Sequence, residues 1–452
     1  MKQFAEYRNF LVLGLARSGL AVSGLLASHG HSVAVSDDDP QAMARFAGTA
    51  VAREFAGRVV PVAPADAVAA AGRVDCVVVS PGVPLEHRVL AAARAGGVPV
   101  IGEIEAAWHY TSARVVGVTG TNGKSTTVGV IGEILAAAGA DVVVAGNVGT
   151  PVADVLRGRD PGTLVLELSS FQLDTIDEFR ADVAVLLNVT PDHLDRYEHS
   201  FARYEASKAR ILNRSGADTW YVYNAEDAAA VRIAAGHRGP AVPFSSQRQL
   251  ERGVFFDGQA IVRVWKGERV AVIRRSEFTP VGVHNLENAM AAIGAALPFA
   301  VPVETIRTAL RAYRPLPHRM ELVRVVDGVA YINDSKATNV DATIKSLMSV
   351  DGPVVVILGG RDKEGDFAAL VPQLGRVKRA VLIGEARGAI RAALAGHCEL
   401  ADAGDMRDAV ATARAATEAG DTVLLAPACA SFDMFQNYQD RGEVFRACVN
   451  SL

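Results

Sequence analysis

The chain has 452 residues, half of them apolar and 21% charged, with a formal net charge of −4. That length suggests two to four domains, each with apolar material for its own core, and the interspersed charge excludes the basic face of a nucleic-acid binder. No run of about 18 uninterrupted apolar residues occurs, so no membrane span is expected.

At the N-terminus, Glu6 and Arg8 precede an apolar run over residues 10–13. The run is too short for the apolar region of a signal peptide and has no cleavage site after it. The four cysteines (Cys76, Cys398, Cys429 and Cys448) make no C-x-x-C pair and no zinc spacing with histidine. Together these features predict a cytoplasmic protein with reduced thiols.

Residues 10–13 read as a strand that feeds Gly14-Leu15-Ala16-Arg17-Ser18-Gly19 and then a helix, with Val22, Leu25 and Leu26 on one face at i, i+3, i+4 spacing. An acidic residue, Asp37, ends the next strand. This is a dinucleotide-binding fingerprint with Ala16 in place of its second glycine, a weak signal for NAD. A continuous apolar strand over residues 74–79 follows, as do others over 115–118, 164–168, 183–187, 354–358, 381–383 and 423–425. Such runs suit parallel strands buried on both faces, and their alternation with Ala/Leu-rich helical stretches predicts α/β domains. Residues 236–279 instead alternate apolar and polar side chains (Ile261, Val262, Val264, Val270, Val272), which predicts antiparallel hairpins inserted in the middle domain. Pro315-Leu316-Pro317 reads as a stiff extended linker. The expected division is residues 1–103, 104–315 and 316–452.

The strongest local signal is Val115-Val116-Gly117-Val118 followed by Thr119-Gly120-Thr121-Asn122-Gly123-Lys124-Ser125-Thr126. An apolar strand feeds a glycine-rich turn, whose N–H groups can curl around phosphate oxygens at a helix start. Lys124 would contact the β- and γ-phosphates and Ser125 a magnesium ion. Val118 stands where the usual phosphate-loop pattern has its first glycine. Three side chains downstream could serve a metal: Glu167 at a strand end, where a charge needs a partner, His193 just past another strand, and Lys208 in Tyr204-Glu205-Ala206-Ser207-Lys208.

The order GTNGKST, ELSSFQL, NVTPDHLDRY, Y-x-A-S-K, G-V-H-N-L-E-N, P-H-R, NDSKATN and PACASFD-x-F resembles the Mur ligases over nearly the whole chain, and within them the glutamate-adding members. The resemblance implies three domains: a Rossmann-like N-terminal one, a central ATPase-like parallel sheet with the inserted hairpins, and a Rossmann-like C-terminal one. It implies ATP-dependent ligation of glutamate to UDP-N-acetylmuramoyl-L-alanine through an acyl phosphate, in peptidoglycan precursor synthesis, with D-glutamate the usual substrate of relatives. Gly120, Thr121, Asn122, Gly123, Lys124, Ser125 and Thr126 would hold ATP, with Asn288 at adenine and Arg319 and Asp334 reaching over from the C-terminal domain. Ser125, Glu167, His193 and Lys208 would hold two magnesium ions, Lys208 as its carbamate, since an ammonium cannot coordinate a metal. Lys124, His193 and Lys208 are the expected catalytic groups.

Thr338, Lys363 and Ser431 would hold glutamate, with Lys336 nearby and Tyr438 where relatives commonly have phenylalanine. Arg17, Ser18, Asp37, Ser80, Gly82 and Asn147 would bind the uridine nucleotide at the glycine turn. Asp38 and Asp39 add charge that a diphosphate disfavours and are not assigned to binding. The expected partners are small molecules, and a monomer is expected. Competing readings are another Mur or folylpolyglutamate-type ligase, a nucleotide-dependent regulator that does not ligate, and an NAD-linked oxidoreductase. The last leaves GTNGKST unexplained.

Overall fold

The computed structural model describes residues 3–280, 282–314, 317–350 and 352–452. Of the expected linker, Pro315 and Leu316 lie outside the described residues.

Three sheets follow one another along the chain. The first has the order β3-β2-β1-β4-β5, with β1 (Asn9–Leu13), β2 (Ser32–Ser36), β3 (Val59–Pro61), β4 (Cys76–Val79) and β5 (Val100–Gly102) all parallel. Its central strands are apolar on both faces because helices cover both. Val22, Leu25 and Leu26 of helix Arg17–Ser28 are fully buried, as their spacing predicts. The strand expected at 74–79 begins two residues later, at Cys76.

The second sheet has nine strands in the order β14-β13-β12-β11-β10-β9-β6-β8-β7. Its core strands β6 (Arg114–Thr119), β7 (Val142–Gly146), β8 (Thr163–Glu167), β9 (Val183–Leu186) and β10 (Trp220–Asn224) are parallel. Helices Lys124–Ala137, Val283–Ala296 and Val303–Ala312 supply buried side chains to the core on one face. The antiparallel hairpins expected over 236–279 are β12 (Gly253–Phe256), β13 (Ala260–Trp265) and β14 (Glu268–Arg274). They continue the main sheet's edge, because β11 (Ala241–Ser245) joins β10 and β12 in parallel and carries the hydrogen-bond ladder across. The exposed backbone of edge strand β14 is partly covered by Arg307, whose guanidinium donates to Val272 O (2.7 Å) and Ala271 O (2.9 Å).

The third sheet, β15-β16-β20-β17-β18-β19, opens with an antiparallel hairpin of β15 (Glu321–Val326) and β16 (Val329–Asn333). The rest is parallel: β17 (Val354–Gly359), β18 (Val377–Ile383), β19 (Glu399–Asp402) and β20 (Thr422–Leu425). Apolar clusters lie on both of its faces. Among the described residues, no helix is long and apolar enough to cross a membrane.

Candidate active site

In parallel α/β sheets the loops past the C-terminal strand ends converge on one edge, where ligands bind. Here β6, β8, β9 and β16 deliver Gly120–Lys124, Glu167, Asn188–His193 and Asp334 to a single cleft of about 380 Å3, a size suited to small molecules.

β6 ends in the glycine turn. Gly123 has φ +91, and a Cβ there would lie 2.3 Å from Asn288 Oδ1, so both conformation and space require glycine. Helix Lys124–Ala137 starts immediately after. Lys124 folds back on the turn, its ammonium donating to Gly120 O (2.7 Å) and Thr121 O (2.9 Å). Lys208, 1% exposed on helix Phe201–Ala209, donates to the same Gly120 O at 2.9 Å. Two amines thus share one carbonyl. Burial lowers the pKa of Lys124, opposed by Glu167. Burial, followed by the charge on Lys124, takes Lys208 well below the usual lysine range.

Glu167 closes β8, 2% exposed. Its Oε1 accepts from Asn147 Nδ2 (3.0 Å), while Oε2 is buried with no hydrogen-bond partner. A buried bare carboxylate oxygen is costly, and a cation would satisfy it. His193 sits in the left-handed region (φ 54) with its ring edge-on to Phe171 at 5.1 Å. Burial pushes its pKa down to about 4 against the pull of Asp192, so the imidazole is neutral and fit to ligate metal. Among the described residues, no three His, Cys, Asp or Glu side chains group tightly enough to hold a metal by themselves. A metal here would have to draw on other donors as well, and the Ser125 hydroxyl lines the same cleft.

The third sheet closes the cleft from the other side. Asn339 Nδ2 donates to Asp192 Oδ2 (2.9 Å), Lys363 Nζ lies 3.7 Å from Asp192 Oδ1, and Asn122 Nδ2 donates to Asp341 Oδ2 (2.7 Å). Asp334, its pKa raised by burial, accepts from the Ser346 hydroxyl and from Met320 N. Lys336 rests over the Tyr438 ring at 4.1 Å, its pKa lowered to about 7 chiefly by burial.

The cleft thus gathers Thr121, Asn122, Gly123, Lys124, Ser125, Thr126, Asn147, Glu167, His193, Lys208, Asn288, Arg319, Asp334, Lys336, Thr338, Lys363, Ser431 and Tyr438, with the Gly120 carbonyl beneath the two amines. It does not include Arg17, Ser18, Asp37, Ser80 or Gly82, which lie at the C-terminal edge of the first sheet. There the Asp37 carboxylate serves the fold, accepting from Leu15 N (2.6 Å) and Asp39 N (2.8 Å) and so pinning the turn. Ser80 Oγ donates to Gly14 O (2.8 Å). Asp38 is engaged by His87 (2.8 Å), and Asp39 caps helix Pro40–Phe46. Asn288 supports the phosphate turn, accepting from Thr127 Oγ1 (3.2 Å) and donating to Asn285 Oδ1 (3.4 Å).

Sequence reasoning passed over Asp192, Asn339 and Asp341, whose partners lie on another domain. It also passed over Arg441. That side chain is fully buried and donates to Ser335 Oγ (3.0 Å), Ser335 O (2.8 Å) and Cys429 O (3.2 Å), fixing the backbone beside Ser431. In the sequence it is an ordinary helix arginine with no local signal.

Comparison with known proteins matches three family signatures in chain order: "Mur ligase MurD-like, N-terminal domain" over residues 8–102, "Mur ligase middle domain" over 118–296, and "Mur ligase, glutamate ligase domain" over 318–429. The UDP-N-acetylmuramoylalanine–D-glutamate ligase of Pelotomaculum thermopropionicum is 41% identical over 100% of this chain and 99% of its own length. The ligase of the same name from Solibacter usitatus is 43% identical over 98% and 97%. Among solved structures, a pseudomurein peptide ligase type C from Methanothermus fervidus superposes with a TM-score of 0.63 at 18% identity, covering 98% of this chain and 99% of that one. The UDP-N-acetylmuramate–alanine ligase of Thermotoga maritima gives 0.61 at 16% identity, covering 99% and 100%. These two show the same three-domain fold.

Proposed function

This chain belongs to the Mur ligases, and from that premise we propose that it joins D-glutamate to UDP-N-acetylmuramoyl-L-alanine with ATP, a step of peptidoglycan precursor synthesis. One observation supports the chemistry above others. A phosphate-cradling turn, the bare Oε2 of Glu167 and the buried amines of Lys124 and Lys208 face one cavity, walled on its far side by the third sheet.

Joining a carboxylate to an amine is uphill in water, so the carboxylate must first be activated. The alanine carboxylate attacks the γ-phosphate of ATP, the acyl phosphate forms, and the glutamate amine displaces phosphate from the acyl carbon. Backbone N–H groups of the turn and Lys124 hold the phosphates and offset charge as it builds on the transferred group. Thr338, Lys363 and Ser431 hold glutamate, with Lys336 and Tyr438 beside it, while Arg319 and Asp334 hold the nucleotide from the third domain. Arg17, Ser18, Asp37, Ser80 and Gly82, with Asn147, carry the uridine nucleotide. In this reading the domains divide near residues 103 and 315, and the enzyme acts as a monomer.

Magnesium, when bound, supplies electrostatic stabilisation of the phosphoryl oxygens. Ser125, Glu167, His193 and Lys208 would hold two such ions, and the unpaired Glu167 oxygen and the neutral His193 imidazole fit that role. The same low pKa makes His193 a poor proton acceptor, which favours its service as a ligand. Lys208 fits as a carbamate: burial favours its neutral amine, which can add to CO2 with loss of one proton to give an anionic oxygen donor. Its present competition with Lys124 for Gly120 O would then end.

The test is phosphate release from ATP with UDP-N-acetylmuramoyl-L-alanine plus D-glutamate, L-glutamate or neither. Sustained release only with the D-enantiomer is expected. Equal release without glutamate would point to a non-ligating ATPase.

A further inference from the structure

Between the first domain and the cleft lies a guanidinium that the chemistry described so far does not use. Arg196 belongs to the short turn Leu194–Tyr197 past β9, which is bracketed by two residues in the left-handed region, His193 (φ 54) and Glu198 (φ 52). Neither is glycine, so the turn holds strain that its surroundings have to enforce. Arg196 N donates to His193 O (3.1 Å), and the Tyr197 hydroxyl donates to Asp174 Oδ2 (2.9 Å). The Arg196 guanidinium lies over the face of Phe171, 4.1 Å from its centroid, and Phe171 lines the cleft. Its Nη2 crosses to the first domain and donates to Val83 O at 3.3 Å. Val83 packs against the first glycine turn: a Cβ on Gly14 would lie 3.0 Å from Val83 Cγ2. The side chain therefore spans from the wall of the cleft to the loop beside that turn.

The hydrogen bonding of this group is incomplete. A guanidinium carries five N–H donors. Among the described residues, one donor reaches Val83 O over a long distance, Nε is buried with no partner, and no carboxylate pairs with the group. A buried cationic donor without an acceptor is costly, and an anion would satisfy it. The first turn lacks such a cation of its own. Of Arg17, Ser18, Asp37, Ser80 and Gly82 only Arg17 is basic, and Asp38 and Asp39 follow Asp37. A diphosphate seated there brings a negative charge on each phosphate. The cleft, by contrast, already collects Lys124, Lys208, Lys336, Lys363 and Arg319 for the anions it takes. The sugar-peptide has to run from the first turn, where its diphosphate sits, to the cleft, where its carboxylate reacts, and so past Arg196.

We propose that Arg196 is a diphosphate-binding residue for the sugar nucleotide, supplied by the middle domain to the glycine turn of the first. The proposal rests on the uridine nucleotide binding at that turn. The test is titration calorimetry of the full-length enzyme and of its Arg196→Gln and Arg196→Lys variants with UDP-N-acetylmuramoyl-L-alanine, with UDP alone and with ADP. Arg196→Gln should weaken both uridine ligands by the same factor, about tenfold for loss of one charge-assisted hydrogen bond, and leave ADP within about twofold. Arg196→Lys keeps the charge without the planar fork and should recover part of the loss. The parent's affinity for UDP should also fall more steeply with salt than that of Arg196→Gln, since the lost contact is between charges. Unchanged affinity for UDP in Arg196→Gln would overturn the proposal even if the sugar-peptide were weakened, because the diphosphate is common to both. So would an equal loss for ADP, the mark of a strut between domains. If the parent itself bound neither uridine ligand, the nucleotide site of the first domain would have failed, a result distinct from any effect of Arg196.

Discussion

Two glycine turns in this molecule share a backbone plan and differ in everything that surrounds them. Each follows a buried parallel strand, β1 or β6, and each opens a helix. Each also excludes a side chain: a Cβ on Gly19 would lie 1.8 Å from Gly14 O, and one on Gly123 would lie 2.3 Å from Asn288 Oδ1. Around the first turn, which carries the basic Arg17, Asp37 accepts from Leu15 N and Ser80 donates to Gly14 O. Around the second the neighbours are buried amines, Lys124 and Lys208, and a carboxylate with an unpaired oxygen. A helix N-terminus by itself offers only N–H groups and a modest dipole. The side chains brought in from other strands and helices decide whether such a turn merely seats a diphosphate or drives phosphoryl transfer.

The largest test of that contrast is Glu167→Gln. Loss of the anionic oxygen that would hold a metal ion at the reacting phosphate should cost about 3–4 kcal/mol of transition-state stabilisation, a fall in kcat of about 10²–10³-fold. Calorimetric affinity for UDP-N-acetylmuramoyl-L-alanine should stay unchanged. Turnover within a few-fold of the parent would mean the second turn is not distinguished by its carboxylate.

Gly123→Ala comes next. Strain at φ +91 and the clash with Asn288 should raise the KM for ATP about 10–100-fold, by analogy with about 1–3 kcal/mol for a strained residue. Affinity for the sugar-peptide should move by less than about twofold. Gly19→Ala should do the converse, weakening the sugar-peptide about tenfold while sparing ATP, since overpacking costs about 1–3 kcal/mol locally. If either variant impaired both ligands equally, the turns would not be independent sites.

The smallest expected effect is a proton. With Lys336 lowered to about 7 by burial, its amine is only about one-tenth charged at pH 8 and mostly charged at pH 6. Anionic phosphates favour the charged form, so ATP binding should take up about half a proton at pH 8 and almost none at pH 6. Titration calorimetry in two buffers of different ionisation enthalpy reads this directly. Uptake of the same size at both pH values, or unaltered in Lys336→Arg, would remove Lys336 from the phosphate's electrostatic surroundings.

Much of the architecture was legible because local patterns carry it. Continuous apolar runs gave parallel strands, since a strand covered on both faces has no polar side to show, and the period of Val22, Leu25 and Leu26 gave the buried stripe of a helix. The edge hairpins were visible as alternation at Ile261 to Val272, but their merger into the main sheet was not. That merger depends on β11 pairing in parallel with both neighbours, a fact of register between distant segments.

For the site, the sequence alone determined the phosphate turn and the acidic strand end at Glu167, because both are short-range: a strand, a glycine turn and a helix start within about a dozen residues. Tertiary structure alone decided which groups meet across the cleft. Asn339 reaches Asp192 over 147 residues of chain and Asp341 reaches Asn122 over 219. Arg441, fully buried among backbone carbonyls of loops more than a hundred residues away in one case, reads in sequence as a solvated helix charge. Burial and partnership are properties of the packed whole. They set the low lysine pKa values and the bare Glu167 oxygen, and no local pattern of residue types encodes them.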